Sequence, residues 1–185
     1  PKGIFVELKS SSTGAKKKYA LVDKNGELKV KGFETVRRNT SVIAREVQRK
    51  VLEIVLKGNK EDALTYVREV LADLKAGRVP LNKVIMATQL RKEVAAYDSV
   101  GPHVVAAKRM ADLGRDVHPG MLLKFIICKG KGKLRDRVRL VDEAKDYDPE
   151  YYINNQVLPS VEKIFAVLGL RVDTISGAQS TLEGF

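Results

Sequence analysis

Hydrophobic and polar positions alternate in the N-terminal part of the chain, as they do in β-strands. The alternation predicts a strand over residues 3–9 and a hairpin formed by residues 17–23 and 27–31, because successive side chains on a strand point to opposite faces. Asn25-Gly26 supplies the turn signal between the two hairpin strands. These strands carry little apolar surface, and isolated hairpins are marginally stable. We therefore expect this three-stranded fragment to complete a sheet that lies elsewhere.

The spacing of apolar residues becomes helical further along the chain. Apolar positions recur every three or four residues in two consecutive stretches, which predicts an antiparallel pair of helices. We expect the first helix to end at Gly58 and the second to run from Asn59 to Gly77, since Asn favours N-caps and Gly favours the residue after a helix. A third helix is predicted over residues 101–113. Three residues could cap the first helix: Asn39, Thr40 and Ser41.

A small β element and an interrupted helix complete the pattern. The apolar run 121–128 predicts a strand, and shorter strands are expected over 83–88 and 137–141. An Asp-Pro pair at 148–149 predicts the start of a last helix. That helix should kink or split at Pro159, because proline removes a hydrogen bond and clashes with the preceding turn. The expected fold class is α+β, a three-stranded fragment followed by a mainly helical region with a small β element.

The net charge of the chain limits the classes of binding partner that it can have. The 185 residues carry a formal net charge of +11 and a pI near 9.7, which favour a polyanionic partner such as nucleic acid. An anionic membrane surface is the competitor, but the sequence has no long apolar span and no signal peptide. The single Cys128 cannot form an internal disulfide and fits a cytoplasmic location. His103 and His118 have no Cys or His neighbours at metal-ligand spacing, so we expect no structural metal site.

Several motifs then occur in a fixed order: KKKYA at 16–20, ETVRR at 34–38, IAREVQ at 43–48, GPHV at 101–104, AKR at 107–109, PG at 119–120 and DPEYYINNQVLP at 148–159. Their order and spacing resemble the C-terminal part of archaeal B-family DNA polymerases over about residues 3–170. The resemblance implies that residues 1–38 form the end of the palm. It further implies that residues 39–171 form the thumb and residues 172–185 a flexible tail.

The catalytic motifs of that family are missing from this sequence. B-family polymerases hold their metal ions with carboxylates in the motifs Asp-x-x-Ser-Leu-Tyr-Pro-Ser and Tyr-x-Asp-Thr-Asp, and neither string occurs here. No exonuclease motif is present either. Phosphoryl transfer of this type needs convergent carboxylates to place two divalent ions. We therefore expect no catalytic residue, metal site or cofactor in this chain, and Mg²⁺ in the assembled polymerase.

Two origins fit this resemblance, and a second function remains open. The polymerase is either naturally split, with this chain as its small polypeptide, or the chain is an engineered or proteolysed fragment. Both predict docking onto a larger polypeptide that carries the exonuclease, palm and fingers. The alternative is a stand-alone, nonspecific duplex-DNA-binding protein derived from a thumb, which would have to cover its own sheet edge. A ribosome-associated protein would explain the charge but none of the ordered motifs.

Candidate DNA contacts follow from the motifs and from the basic residues around them. The resemblance implies that Lys17 and Tyr19 meet the minor groove near the primer terminus, where the base acceptors are nearly independent of sequence. The helix start at 101–103 offers N–H groups to a phosphate, and the loop 129–133 combines glycines with three positive charges. The predicted DNA-binding residues are Lys16, Lys17, Lys18, Tyr19, Arg37, Arg38, Gly101, His103, Lys108, Arg109, Lys129, Lys131, Lys133 and Arg135.

These residues also have interpretations that involve no DNA. Arg37 and Arg38 could form ion pairs with Glu34 or another acid, and His103 could form a hydrogen bond locally at the start of its helix. The loop 129–133 could be a solvated loop and nothing more. The sequence leaves these alternatives open.

The last seven residues resemble a sliding-clamp-binding box. Such a box reads Gln-x-x-aliphatic-x-x-aromatic-aromatic and forms a short helical turn that inserts apolar side chains into a pocket on the clamp. Gln179, Leu182 and Phe185 match it, with one aromatic residue in place of two. The expected partners are thus the larger polymerase chain, primer–template DNA and a sliding clamp, with no membrane.

Overall fold

Two small antiparallel sheets and several helices make up the fold. The structure is a computed structural model, and it describes residues 3–6, 18–23, 25–31, 40–170 and 175. The first sheet contains β1 (Gly3–Val6), β2 (Lys18–Val22) and β3 (Leu28–Lys31) in the order β1-β2-β3. The predicted three-stranded fragment is therefore confirmed, and the prediction that it completes a sheet elsewhere stays a prediction.

The turn between β2 and β3 is closed by Asp23. Its carboxylate accepts the N–H of Asn25 at 2.9 Å and the N–H of Glu27 at 3.0 Å. Gly26 adopts φ +81°, a left-handed conformation that costs glycine little. The turn signal was therefore correct in position, and the side chain of Asp23 contributes to it as well.

The predicted helical pair is present as α1 (Val42–Leu56) and α2 (Lys60–Lys75). Asn59 caps α2, since its Oδ1 accepts the N–H of Asp62 at 3.2 Å, and Gly77 follows α2 with φ +71°. The start of α1 is different. Ser41 occupies its N-cap position, but its side chain accepts no hydrogen bond from the first turn of the helix. Ser41 was one of the three predicted caps, and its hydroxyl does not act as one.

The second sheet contains β4 (Met86–Gln89), β5 (Leu122–Ile127) and β6 (Val138–Leu140) in the order β4-β5-β6. All its pairings are antiparallel, with Met86 and Leu140 flanking Phe125 on the central strand. The helix α3 (Pro102–Asp112) packs against β5 and β6. The predicted strand 83–88 begins later than expected, because Leu81–Lys83 form a 3₁₀ turn.

The last helix is split, as the proline predicts. It consists of α4 (Pro149–Tyr152), a π turn (Ile153–Val157) and α5 (Leu158–Val167). In the π turn the N–H of Leu158 bonds to the carbonyl of Ile153, five residues earlier. Pro159 has no N–H to continue an α-helical ladder, so the wider turn lies directly before it.

One hydrophobic cluster joins α1, α2, the central strand β5 and the split helix, and Ala20 of β2 packs into it. Tyr152 is fully buried there. Its hydroxyl oxygen accepts the N–H of Ile127 at 3.0 Å and thereby ties β5 to α4. Burial raises the pKa of Tyr152 well above its ordinary value.

Within the described ranges, no helix combines the length and apolar character needed to cross a lipid bilayer.

Candidate nucleic-acid interface

Some of the predicted site residues lie outside the described residues. These are Lys16, Lys17, Arg37 and Arg38 near the N terminus, and Gln179, Leu182 and Phe185 in the tail. The structure places the backbone of Lys18 and Tyr19 in β2. The predicted domain boundaries, after residues 38 and 171, also fall in ranges that are not described. All these assignments remain predictions.

The other predicted residues lie on two neighbouring elements. Gly101, His103, Lys108 and Arg109 belong to the start and the body of α3. Residues 129–135 connect β5 to β6 and include part of the 3₁₀ turn Leu134–Arg137, against which α3 packs. The fold thus brings together two basic stretches that are separated along the chain.

The start of α3 offers fewer amide groups than the sequence suggested. Pro102 has no N–H, and the N–H of Val104 bonds to the carbonyl of Gly101 at 3.0 Å. The alternative of a local side-chain hydrogen bond for His103 is not found among the described contacts, and its ring contacts another ring instead. Its ring packs edge-on against Tyr97, with 5.3 Å between the ring centroids. Burial lowers the pKa of His103, so its imidazole is mostly neutral at pH 7 and donates one N–H.

Lys108 and Arg109 have different surroundings, although they are neighbours. Lys108 is exposed and forms no ion pair with any described carboxylate. Arg109 binds Glu143 with two nitrogens, Nε at 2.9 Å and Nη2 at 2.7 Å. This hydrogen bonding lowers the pKa of Glu143. The guanidinium of Arg109 therefore links α3 to the turn that follows β6, and its predicted DNA contact is untested.

The backbone of the loop 129–133 is held at both of its ends. The N–H of Lys129 bonds to Asp146 Oδ1 at 3.1 Å, and the N–H of Lys133 bonds to Asp136 Oδ2 at 3.0 Å. Gly132 has φ +98°, and a Cβ there would lie 3.1 Å from Asp136 Oδ2. The three lysines of the loop are exposed, and none forms an ion pair with a described carboxylate. A held backbone with unpaired ammonium groups suits a phosphate ligand.

The arginines after the loop divide into solvent-facing and structural residues. Arg135 is exposed, and its Nε lies 3.9 Å from Asp136 Oδ1. Arg137 pairs with Asp148, and Arg139 donates to the carbonyls of Asp136 and Val138. Arg135 is therefore the arginine of this stretch that can reach a ligand.

A cavity of about 380 Å³ lies beside the loop and was not foreseen from the sequence. Arg78, Lys129 and Lys145 line it together with Asp146 and Tyr147. These cations come from three separate segments, so no local motif could have revealed the cavity. Asp73 already binds Arg78 through Nε at 2.8 Å, which leaves the two lysines to extend the basic surface of the loop.

The described part of the chain contains no cluster of carboxylates that could hold a catalytic metal ion. No group of three His, Cys, Asp or Glu side chains converges there in a way that could hold a metal ion. Cys128 is buried, its thiol donates to the carbonyl of Asp146 at 3.1 Å, and burial raises the pKa of the thiol. Cys128 is therefore a small residue of the hydrophobic core.

Fold and surface together describe an α+β module with a basic face suited to a polyanion. The family model for DNA polymerase family B matches residues 13–168. The chain therefore belongs to DNA polymerase family B.

Individual relatives agree with this family. A DNA polymerase of Thermococcus litoralis is 42% identical over 174 residues, which are 91% of this chain and 10% of that protein. A DNA polymerase of Thermococcus sp. (strain 9oN-7) is 42% identical over 165 residues, 86% of this chain and 21% of that protein. The solved family B DNA polymerase of the archaeon Pyrobaculum calidifontis matches with a TM-score of 0.73 and 36% identity, over 86% of this chain and 21% of that one. The chain thus spans about a tenth to a fifth of these relatives.

Proposed function

We propose that this chain is the small part of a B-family DNA polymerase that binds primer–template duplex and completes the active enzyme together with a larger chain. The observation that carries the proposal is the set of exposed lysines on α3 and on the loop 129–133 that pair with no described carboxylate, in a chain that matches the family over residues 13–168. Residues 1–38 would then end the palm, and residues 39–171 would form the thumb.

The proposed mechanism is a nonspecific clamp on duplex DNA. Lys108 and the lysines of the loop 129–133 neutralise backbone phosphates and release counterions, which gives affinity without sequence choice. Lys17 and Tyr19 would reach the minor groove near the primer terminus, and Arg37 and Arg38 the duplex backbone. Binding of this kind slows release of the newly made duplex and would place the chain with the nucleoid.

Metal chemistry is assigned to the larger chain. Polymerisation requires Mg²⁺ held by convergent carboxylates, which orients the reacting phosphate and stabilises its charge. The described residues of this chain gather no such ligand set. They bind and position DNA in this proposal, and they take part in no bond-making step.

Salt dependence tests the DNA-binding part of the proposal. Replacing Lys129, Lys131 and Lys133 with Ala should make the dependence of log affinity on log salt less steep. The negative slope should shrink in magnitude by about 0.9 for each lost phosphate contact. The control replaces three exposed lysines on other elements, Lys57, Lys75 and Lys163, which removes the same charge. Equal effects of the two triple variants would contradict a localised interface and leave net charge as the explanation.

Reconstitution tests the split polymerase. The chain should co-purify with a larger B-family chain that carries both carboxylate motifs, and primer extension should appear only when the two are mixed. DNA binding without any complex would favour the alternative, a stand-alone duplex-binding protein.

A sliding clamp is the proposed third partner. Gln179, Leu182 and Phe185 would insert into a pocket on the clamp. Deleting residues 179–185 should then abolish stimulation of the assembled polymerase by the clamp and spare its basal synthesis. Loss of both activities would point to a role of the tail in folding.

A further inference from the structure

The segment between β4 and α3 converges on one aromatic side chain, Tyr97. Its hydroxyl oxygen accepts the N–H of Arg91 at 2.9 Å. Its ring packs edge-on against His103, with centroids 5.3 Å apart and an interplanar angle of 78°. The ammonium of Lys92 lies 5.2 Å from the centre of the same ring. One tyrosine thus contacts residues on both sides of it in the sequence.

We infer that Tyr97 is a positioning residue that holds His103 and Lys92 as one preformed subsite for a backbone phosphate of duplex DNA. The inference rests on the proposed DNA binding and adds to it a subsite at the start of α3. His103 supplies a neutral N–H donor and Lys92 an ammonium, which are complementary to the oxygens of a phosphodiester.

Tyr97 is itself anchored, so it can fix its neighbours. Its ring packs against a small buried cluster formed by Leu90, Ala107 and Leu123, which lie directly after β4, in α3 and in β5. The hydrogen bond to Arg91 holds the other end of the side chain. The position of the ring is therefore set by the sheet and by α3, and not by the exposed loop alone.

Gly101 leaves room for the His103 ring at the start of α3. A Cβ at Gly101 would lie 3.3 Å from both Cε1 and Nδ1 of His103. The absence of that carbon lets the imidazole fold back over the helix start, next to Tyr97. A side chain at position 101 would therefore crowd the imidazole in the position where it contacts Tyr97.

Preorganisation is the expected benefit of this arrangement. A free lysine loses rotamer entropy when it binds a phosphate, and a side chain already held over a ring loses less. Lys92 is exposed, and the cation–π contact leaves its ammonium accessible to a ligand.

Glu93 and Asp98 are exposed acids in the same segment and form no ion pair with Lys92 or Arg91. Both would repel a phosphate, so Glu93→Gln should tighten binding.

The chain contains two histidines, and this makes proton NMR a direct test of the positioning role. In the full-length chain, the His103 ring protons should be shifted by the ring current of Tyr97. Addition of duplex DNA should raise the pKa of His103, because a nearby anion favours the protonated form. Tyr97→Leu should abolish both effects. The exposed His118 is the internal control, and its unchanged signals together with an unchanged Tm would show that the variant folds.

DNA affinity supplies the functional test. At one fixed salt concentration, Tyr97→Leu should weaken binding of a primer–template duplex about tenfold, because a charge-assisted phosphate contact is lost. Tyr97→Phe keeps the ring and should lose less. His103→Ala combined with Tyr97→Leu should be much less than additive, since one residue acts through the other.

The outcomes separate this inference from the proposed function. A wild-type chain without salt-dependent binding of duplex DNA would overturn the proposed function and the phosphate subsite with it. A wild-type chain that binds as expected, with unchanged affinity in Tyr97→Leu, would overturn the subsite alone. His103 signals that are the same in wild type and Tyr97→Leu would overturn the positioning role, whatever the DNA result.

Discussion

At the scale of single residues, two neighbouring basic side chains on this surface have different roles, although both carry a positive charge. Lys108 and Arg109 are adjacent in the AKR motif, but their side chains have different partners. Arg109 makes a forked contact with both oxygens of Glu143, a strong geometry for an ion pair. Lys108 is exposed and unpaired among the described residues. The motif therefore combines a structural cation with one that is available to a ligand.

This difference predicts opposite phenotypes for two neighbouring substitutions. Lys108→Ala should weaken binding of duplex DNA and leave Tm unchanged, because its ammonium has no described partner. Arg109→Ala should lower the free energy of unfolding by about 1 kcal/mol, a modest value because the pair is partly exposed and screened by solvent. Thermal melting and DNA titration of both variants would check this. The reverse pattern would show that Arg109 contacts the DNA and that Lys108 supports the fold.

At the scale of elements, the split helix works as a connector. Gln156 lies in the π turn, and its Oε1 accepts the N–H of Ser41 at 2.9 Å. Gln48 of α1 donates to the carbonyl of Ser160 in α5. Because Ser41, Gln48 and Ser160 are buried, these polar bonds fix how α1 lies against the split helix. The backbone N–H of Ser41 is thus satisfied by a distant amide side chain, while its buried hydroxyl has no hydrogen-bond partner among the described residues.

Removing this connection should destabilise the fold measurably. Gln156→Ala leaves the N–H of Ser41 without its acceptor, and we expect a loss of about 1–2 kcal/mol in the free energy of unfolding. The matched control is Asn155→Ala in the same π turn, where the side chain is exposed. Urea unfolding should show a lower midpoint for the first variant with an unchanged m-value. Equal midpoints for the two variants would mean that the Gln156 bond adds nothing to stability.

At the scale of the whole molecule, the carboxylates stabilise the fold and leave a surplus of positive charge. Hydrogen bonds from the turn backbone and Lys29 lower the pKa of Asp23. Hydrogen bonds from Arg115 and Arg109 lower the pKa values of Asp142 and Glu143. These acids hold the hairpin turn and α3 in place. The full sequence nevertheless keeps a net charge of +11, because Lys and Arg outnumber Asp and Glu.

Stability should consequently fall in acid. Because the folded-state pKa values of these carboxylates lie below their unfolded values of about 4, their contribution is present above about pH 4 and is lost as the pH falls through the folded values. Protonation also increases repulsion among the cations. Tm should therefore decrease between about pH 5 and pH 2, and added salt should partly restore it at about pH 2. A Tm that stays constant over this range would contradict a stabilising role for these carboxylates.

Local chemistry explains which features could be predicted from the sequence. The Asn59 cap, the helix end at Gly77 and the split before Pro159 each depend on the backbone within a few residues, so the residues themselves predict them. The hairpin around Asn25-Gly26 is equally local. The family resemblance also came from the order of short motifs, and the match over residues 13–168 bears it out.

Only the tertiary structure decided which polar groups from distant segments meet. Glu143 lies 34 residues from Arg109, and Gln156 lies 115 residues from Ser41, so no local pattern links either pair. Tyr97 and His103 are close in sequence, but their contact depends on how the segment between β4 and α3 packs against the second sheet. The sequence determined the elements and the excess of charge, because these depend on local backbone preferences and composition. Packing decided which cations of α3 and its following loop remain available to a ligand, because Glu143 and Asp142 reach Arg109 and Arg115 only when segments distant in the sequence come together.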